Sequence, residues 1–206
     1  MNMPSSPEET LILVDAQDRA IGTGLKMPVH REGLLHRAFS IFVFNARGEL
    51  MLQQRATGKY HSGGLWTNTC CGHPRPGEST LSAARRRLQE EMGFTCSLYA
   101  AGTLTYRAQV SNDLIEHEFD HLYVGRFDGP PHPDPAEAQD WKWVETSVLA
   151  AQLTHQPHAF TAWFHAILEQ PGAHLDTLKA RALEGLPDNN TPEGLPRPGS
   201  SHTGAY

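Results

Sequence analysis

Residues 72 to 94 constrain this chain more than any other stretch. They run Gly72, five residues, Glu78, seven residues, Arg86, then Leu88, Glu90, Glu91, Gly93 and Phe94. Within that frame residues 79 to 92 predict a helix, because Ala, Leu, Arg and Gln dominate and no proline or glycine interrupts them. Ser79 follows a Pro-Gly turn and reads as the N-cap, and Gly93 reads as the C-terminal stop. Leu81, Ala84, Leu88 and Met92 recur at helical spacing and are expected in the core. Arg86 with Glu90, and Arg87 with Glu91, are four apart and are expected on neighbouring exposed strips. In a plain solvated helix such pairs are worth a few tenths of a kcal/mol each, roughly. The glycines that bracket the helix argue for more than that.

Two further constellations flank the helix. Upstream lies Trp66-Thr67-Asn68-Thr69-Cys70-Cys71-Gly72-His73-Pro74, and downstream Ile115-Glu116-His117-Glu118-Phe119. In an extended segment residues two apart share a face, so Glu116 and Glu118 form a carboxylate pair. Nearer the N-terminus, His30 and His36 precede Arg37-Ala38-Phe39-Ser40. Three histidines and two carboxylates suit a divalent transition metal such as Zn or Mn. The chain holds 12 histidines, however, so spacing alone carries little weight for any one of them.

The remaining pattern alternates strands with helices. Strands are expected at 11–14, near 20–22, at 38–45 and 49–55 as a pair turning at Ala46-Arg47-Gly48, at 98–107, at 115–127 and at 141–144. The strand at 38–45 is apolar on both faces and is expected to be central. Helices are expected near 146–153 and 158–170, the second carrying Phe160, Trp163, Phe164, Ile167 and Leu168. Trp163 reads equally well as a core aromatic or a pocket wall. Gly129 to Pro135 is a proline-rich connector. The interleaving points to an α/β sandwich with a mixed sheet in a single domain over 10–184, a loose leader at 1–9, and a polar, Gly/Pro-rich tail at 185–206 that is expected to be disordered.

Composition excludes several classes. The formal charge of -6, with no compensating basic stripe, argues against a nucleic-acid binder. There is no apolar run long enough for a membrane span and no secretory h-region at the start of the sequence. Three cysteines, two of them adjacent, make no disulfide framework and fit a reducing, cytoplasmic setting. Cys96 reads as structural, and Cys70 as a small buried residue if it points away from any pocket.

The box at 72–94 resembles the signature of the Nudix family, G-x5-E-x7-R-E-U-x-E-E-x-G-U, in which U is a bulky apolar residue. It matches at every position but one: Arg87 stands where the family's hydrolases carry a glutamate. With Leu35-His36-Arg37-Ala38-Phe39-Ser40, Trp66-Thr67-Asn68, Cys71-Gly72-His73-Pro74, Tyr106-Arg107-Ala108 and Glu116-x-Glu118, residues 10 to 170 resemble the type 1 isopentenyl-diphosphate isomerase branch. That resemblance implies a Nudix-type α/β/α sandwich. It also implies a metal-dependent isomerase of isoprenoid biosynthesis that interconverts isopentenyl and dimethylallyl diphosphate, with the small-molecule diphosphate as its substrate.

Residue by residue, the resemblance implies Cys71 and Glu118 as the catalytic pair. It makes His30, His36, His73, Glu116 and Glu118 the ligands of one Mn²⁺ or Zn²⁺, and Glu91 the ligand of a Mg²⁺ bound with the diphosphate. Lys26, Arg55, Lys59 and Arg87 become diphosphate contacts, and Tyr106 and Trp163 line the hydrocarbon end. Protonating one carbon of an alkene and deprotonating another needs an acid, a base and a dry pocket between them. Two rivals remain, a pyrophosphohydrolase acting on a nucleoside diphosphate derivative and a non-catalytic diphosphate-binding module. Arg87 counts against the first, and the second leaves Cys71, Glu116 and Glu118 unexplained.

Overall fold

The computed structural model describes residues 9–110 and 113–184. The expected tail, and all of the expected leader except Glu9, lie outside the described residues. Strand β3 (His36–Phe44) organises the rest, because its residues are apolar on both faces and almost all buried. Phe39, Ile41 and Val43 face one side, where they meet Leu88 and Met92 of helix α2 (Thr80–Met92). Phe42 and Phe44 face the other, where they meet α3 (Thr146–His155), α4 (Ala162–Leu168) and α5 (Leu175–Glu184) through Leu149, Phe164, Ile167 and Leu178. A strand that buries both faces must be covered by helices on both sides. The expected α/β/α sandwich follows.

One edge of β3 runs parallel to β8 (Ile115–Arg126) along its whole length, from His36 opposite Glu118 to Phe44 opposite Arg126. The other edge is shared by three partners in turn. β1 (Thr10–Val14) meets it at His36, β6 (Cys70–Gly72) at Phe39 to Ile41, and β4 (Glu49–Arg55) only at Phe44. The expected pairing of 38–45 with 49–55 is therefore confined to the turn, because β6 wedges in beyond it. The described residues complete a nine-stranded mixed sheet with β2 (Ala20–Leu25) on β1, β5 (Trp66–Thr67) and β9 (Ala138–Glu145) on β4, and β7 (Leu98–Gln109) on β8.

Helix α2 forms as expected. Ser79 Oγ accepts from the Ser82 amide, and Gly93 closes the helix in the left-handed region at φ 71°. Leu81 is only half-buried, and Ala83 takes a place in the core beside Ala84. Glu91 is not on an exposed strip as expected: it is buried, and Gln53 donates to it from β4. Two helices were not anticipated, α5 and the short α1 (Lys26–Glu32). The latter carries Pro28 in its first turn, where a missing amide costs nothing. The expected helix at 158–170 breaks into a 3-10 turn at Pro157–Ala159 and α4. Between them Phe160 bridges to Trp66, and the Thr161 amide bonds the Trp66 carbonyl.

Gly93 is the glycine that the fold can least replace, since a Cβ there would lie 2.2 Å from the His132 carbonyl oxygen at a positive φ. Gly93→Ala is expected to cost about 2–4 kcal/mol in urea unfolding. Gly48→Ala, also at positive φ but facing only the flexible end of Lys179, should cost about 1–2 kcal/mol.

Candidate active site

The parallel pairing of β3 with β8 puts His36 beside Glu118, and the period of two puts Glu116, Glu118 and Asp120 on the face that carries the helices α3 to α5. β6 flanks β3 on the opposite side, with Cys71 opposite Ser40. Cys71 and Glu118 therefore reach one cavity from opposite flanks of the same strand. The adjacent Cys70 alternates to the other face and is fully buried against α2, as its structural reading required. Cys96 likewise packs at the edge of that apolar cluster.

The cavity encloses about 750 Å³. Cys71, His73, Glu91, Tyr106, Glu116, Glu118 and Trp163 line it, as do Lys26, Arg55, Lys59 and Arg87. His30 and His36 stand behind Glu116, with no exposed surface. All thirteen residues singled out from the sequence are thus brought to one place. In an acidic protein, six basic side chains line this single cavity, Arg75 and Arg86 being the others.

The deepest part is a cluster of histidines and carboxylates. His30 Nδ1–H donates to the Lys26 carbonyl at 2.7 Å, and His36 Nδ1–H to the Leu34 carbonyl at 2.9 Å. A carbonyl only accepts, so both rings carry their proton on Nδ1 and turn an Nε2 lone pair inward. His30 Nε2 lies 2.9 Å and His36 Nε2 3.9 Å from Glu116 Oε2. These three inward atoms have no hydrogen-bond partner. Ligand atoms of His30, His36, His73 and Glu116 all lie within 4.8 Å of one another. Lone pairs that converge without a donor between them are what a cation would satisfy, so the residues fit a divalent metal.

Glu118 completes the cluster. His73 Nε2 lies 3.0 Å and His36 Nε2 3.6 Å from its Oε1, and the Tyr106 hydroxyl donates to its Oε2 at 2.6 Å. Burial alone would raise both carboxyls. The Glu116 charge would raise Glu118 further, but the surrounding imidazoles prevail, His30, His61 and His73 around Glu116 and His36 and His73 around Glu118, so both are held below the usual carboxylate range. Burial also opposes a charge on His73, but its contacts with Glu118 and Glu9 prevail and push the imidazole up to about 9. Asp120, one pleat deeper, has no exposed surface, and burial with the Glu118 charge holds its carboxyl well above the ordinary range.

Asn68 fixes the cysteine. Its side-chain amide donates to the Ile41 and Cys70 carbonyls at 3.2 and 3.0 Å, which leaves Oδ1 to accept from Thr67 and from the Cys71 thiol at 3.5 Å. Burial, reinforced by the Glu91 charge, pushes the Cys71 thiol far up, so it carries its proton.

The mouth of the cavity is ionic. Arg87 pairs with Glu91 at 2.5 Å, Glu90 at 2.9 Å and Glu137 at 3.2 Å. Lys59 pairs with Glu137, and Lys26 with Glu9 at 2.6 Å. Arg55 has no carboxylate partner among the described residues; its guanidinium lies 5.0 Å from the Trp163 ring centroid. Trp163 is 4% exposed and touches both the core and the cavity, so the two readings of it merge. The signature pair Glu78 and Arg86 makes a two-point ion pair at 2.8 and 2.9 Å that ties the loop before α2 to the helix. Sequence reasoning missed Glu9, Gln53, His61, Asn68 as the thiol's acceptor, Asp120 and Glu137. Of these only Asp120 carried a signal, as the third acid of the alternating series that begins at Glu116.

Comparison with known proteins agrees with this geometry. The NUDIX domain family matches residues 34–164. An isopentenyl-diphosphate Delta-isomerase of Serratia proteamaculans is 59% identical over 167 residues, covering 81% of this chain and 93% of that protein. One from Burkholderia multivorans is 60% identical over 165 residues, covering 80% and 94%. Among solved structures, DR0079 from Deinococcus radiodurans superposes with a TM-score of 0.62 at 22% identity, over 72% of this chain and 90% of that one, which supports the fold alone. On sequence, fold and cavity together, the chain belongs to the isopentenyl-diphosphate Delta-isomerase family of NUDIX-domain proteins.

Proposed function

We infer that this chain is an isopentenyl-diphosphate Delta-isomerase, interconverting isopentenyl and dimethylallyl diphosphate in isoprenoid biosynthesis by adding a proton to one alkene carbon and removing one from another. The observation that carries this reading is the delivery of a protonated thiol, Cys71, and a carboxylate, Glu118, from opposite flanks of β3 into one cavity with a cationic mouth. Two proton-handling groups facing a substrate from different sides suit an allylic rearrangement, and their roles exchange in the reverse direction. Tyr106, bonded to Glu118, orients that carboxylate. Trp163 supplies an aromatic wall, and a ring face near a developing tertiary cation contributes about 2 kcal/mol when water is excluded.

Lys26, Arg55, Lys59 and Arg87 are assigned to the diphosphate, whose binding energy, far from the reacting carbons, orients the alkene. His30, His36, His73, Glu116 and Glu118 would hold Mn²⁺ or Zn²⁺, and Glu91 would help hold Mg²⁺ with the diphosphate. When bound, these ions neutralise phosphate charge and lower the proton affinity of a coordinated carboxyl. No helix among the described residues is long and apolar enough to cross a membrane. All three cysteines are free, which suits a reducing cytoplasmic setting for a catalytic thiol. A pyrophosphohydrolase is disfavoured because Arg87, tied to Glu90, Glu91 and Glu137, inserts a cation into the acidic end of α2.

Incubation with isopentenyl diphosphate and Mg²⁺ in D₂O is expected to yield deuterated dimethylallyl diphosphate by NMR. Cys71→Ala and Glu118→Gln should each lower kcat by about 10²–10⁴-fold. Undeuterated substrate from the wild-type protein would sink the reading, and released phosphate would point to hydrolysis. Arg87→Ala should raise KM by about 10–100-fold, the loss of a charge-assisted contact.

Metal affinity should depend on pH in a defined direction. His73 must lose a proton to bind a metal, so the apparent affinity for Zn²⁺ or Mn²⁺ should climb by up to about tenfold per pH unit and flatten above about 9. Calorimetry in buffers of different ionisation enthalpy reads the released proton directly. The same raised value stabilises the metal-stripped fold below about 6.5, a contribution lost as pH rises through about 9.

A further inference from the structure

His61 is the one histidine of the cavity that the reading above leaves without a task. It sits in the loop between β4 and β5 and is 4% exposed. Its ring meets Tyr60 edge-on at 4.4 Å and Trp163 edge-on at 5.5 Å between centroids. The Arg55 guanidinium donates to its backbone carbonyl at 3.3 Å. The turn that aims the ring inward passes through Ser62 at φ 52°, a conformation that costs a non-glycine residue about 1–2 kcal/mol. The chain thus accepts local strain beside a histidine wedged between the indole and the acid cluster.

The decisive contact is with Glu116. Its two oxygens serve different neighbours: Oε2 faces the lone pairs of His30 and His36, while Oε1 lies 3.1 Å from His61 Nε2. His61 Nδ1 lies 3.2 Å from the Ser62 hydroxyl, which can donate to it and leave the ring proton on Nε2. His61 is not among the side chains whose ligand atoms converge within 4.8 Å. It meets the other oxygen of the carboxylate.

We propose that His61 is a positioning residue: its Nε2–H occupies Glu116 Oε1 and so presents Oε2 alone to the metal, while its ring holds the edge of Trp163. This rests on the assignment of Glu116 as a metal ligand. An unrestrained carboxylate can turn about its last torsion and offer either oxygen or both. A hydrogen bond to one oxygen removes that freedom, and loss of such a contact to a ligating side chain costs about 10–100-fold in metal affinity or activity. One buried ring then ties the geometry of the metal cluster to the aromatic wall of the substrate pocket.

The test uses the full chain and Zn²⁺ alone, titrated in competition with a chromophoric chelator, on the wild type, His61→Phe, His61→Gln and Glu116→Gln. Phe keeps the ring packing and lacks the N–H, whereas Gln restores a donor. The expected result is a loss of about 10–100-fold in affinity for His61→Phe, recovered largely in His61→Gln, with kcat falling more than KM rises. Wild-type affinity in His61→Phe alongside a loss in Glu116→Gln would overturn the proposal and leave the metal site standing. Wild-type affinity in Glu116→Gln would instead remove the ligand assignment beneath it. Should His61→Phe fail to fold, His61→Leu takes its place, and equal affinities in the Leu and Gln variants would overturn the proposal.

Discussion

Two carboxylates one pleat apart, both nearly without solvent contact, are the constraint that the rest of this molecule answers to. Left alone, Glu116 and Glu118 would repel each other and would be driven to protonate by burial. Imidazoles from four separate segments meet them instead: His30 on α1, His36 on β3, His61 on the loop between β4 and β5, and His73 on the loop after β6. Two of these rings are locked by backbone carbonyls so that their lone pairs, not their protons, face inward. His61 and His73, at 3.1 and 3.0 Å, can answer the charge of the acids, while the inward lone pairs of His30 and His36 fit the cluster to hold a cation. His36 reaches that cluster through one register, opposite Glu118.

Much of the fold could be read in the sequence, because its strongest elements advertise themselves. Helix α2 carries its cap, its stop and its apolar spacing in one stretch, and β3 betrays its central position by being apolar on both faces. What escaped was short or tertiary in origin. α1 has no capping side chain, and β5 and β6 span two and three residues, too few to show a period. The break before α4 exists because Phe160 and Thr161 pair with Trp66, a partner nearly a hundred residues earlier in the chain. No local pattern could announce that.

The site was legible for a different reason. Spacing on its own could not choose four histidines from 12; the family resemblance chose three, and the fold brings those three together beside Glu116. Glu91 shows how far helical periodicity can mislead, since a position that reads as a solvated ion pair turns out to be buried between Gln53 and Arg87. His61 and Glu9 lie in a turn and at a strand's edge, where neighbours in sequence say nothing about neighbours in space. The acids and bases around the mouth pair among themselves, so the net charge of the chain gave no warning that its cations were concentrated there.

The way β3 shares its second edge also bears on how the molecule is made. Its parallel neighbour β8 arrives about eighty residues later in the chain, and Trp163 comes later still. The pocket therefore closes only after nearly the whole domain has left the ribosome. Contacts so distant in sequence favour slow, cooperative folding, and they leave β3, apolar on both faces, without its longest partner during synthesis. Until β8 docks, the chain carries an open hydrophobic strand edge. Cys71 and Glu118 cannot face each other in a partly made chain, because Glu118 waits on the strand that covers that edge.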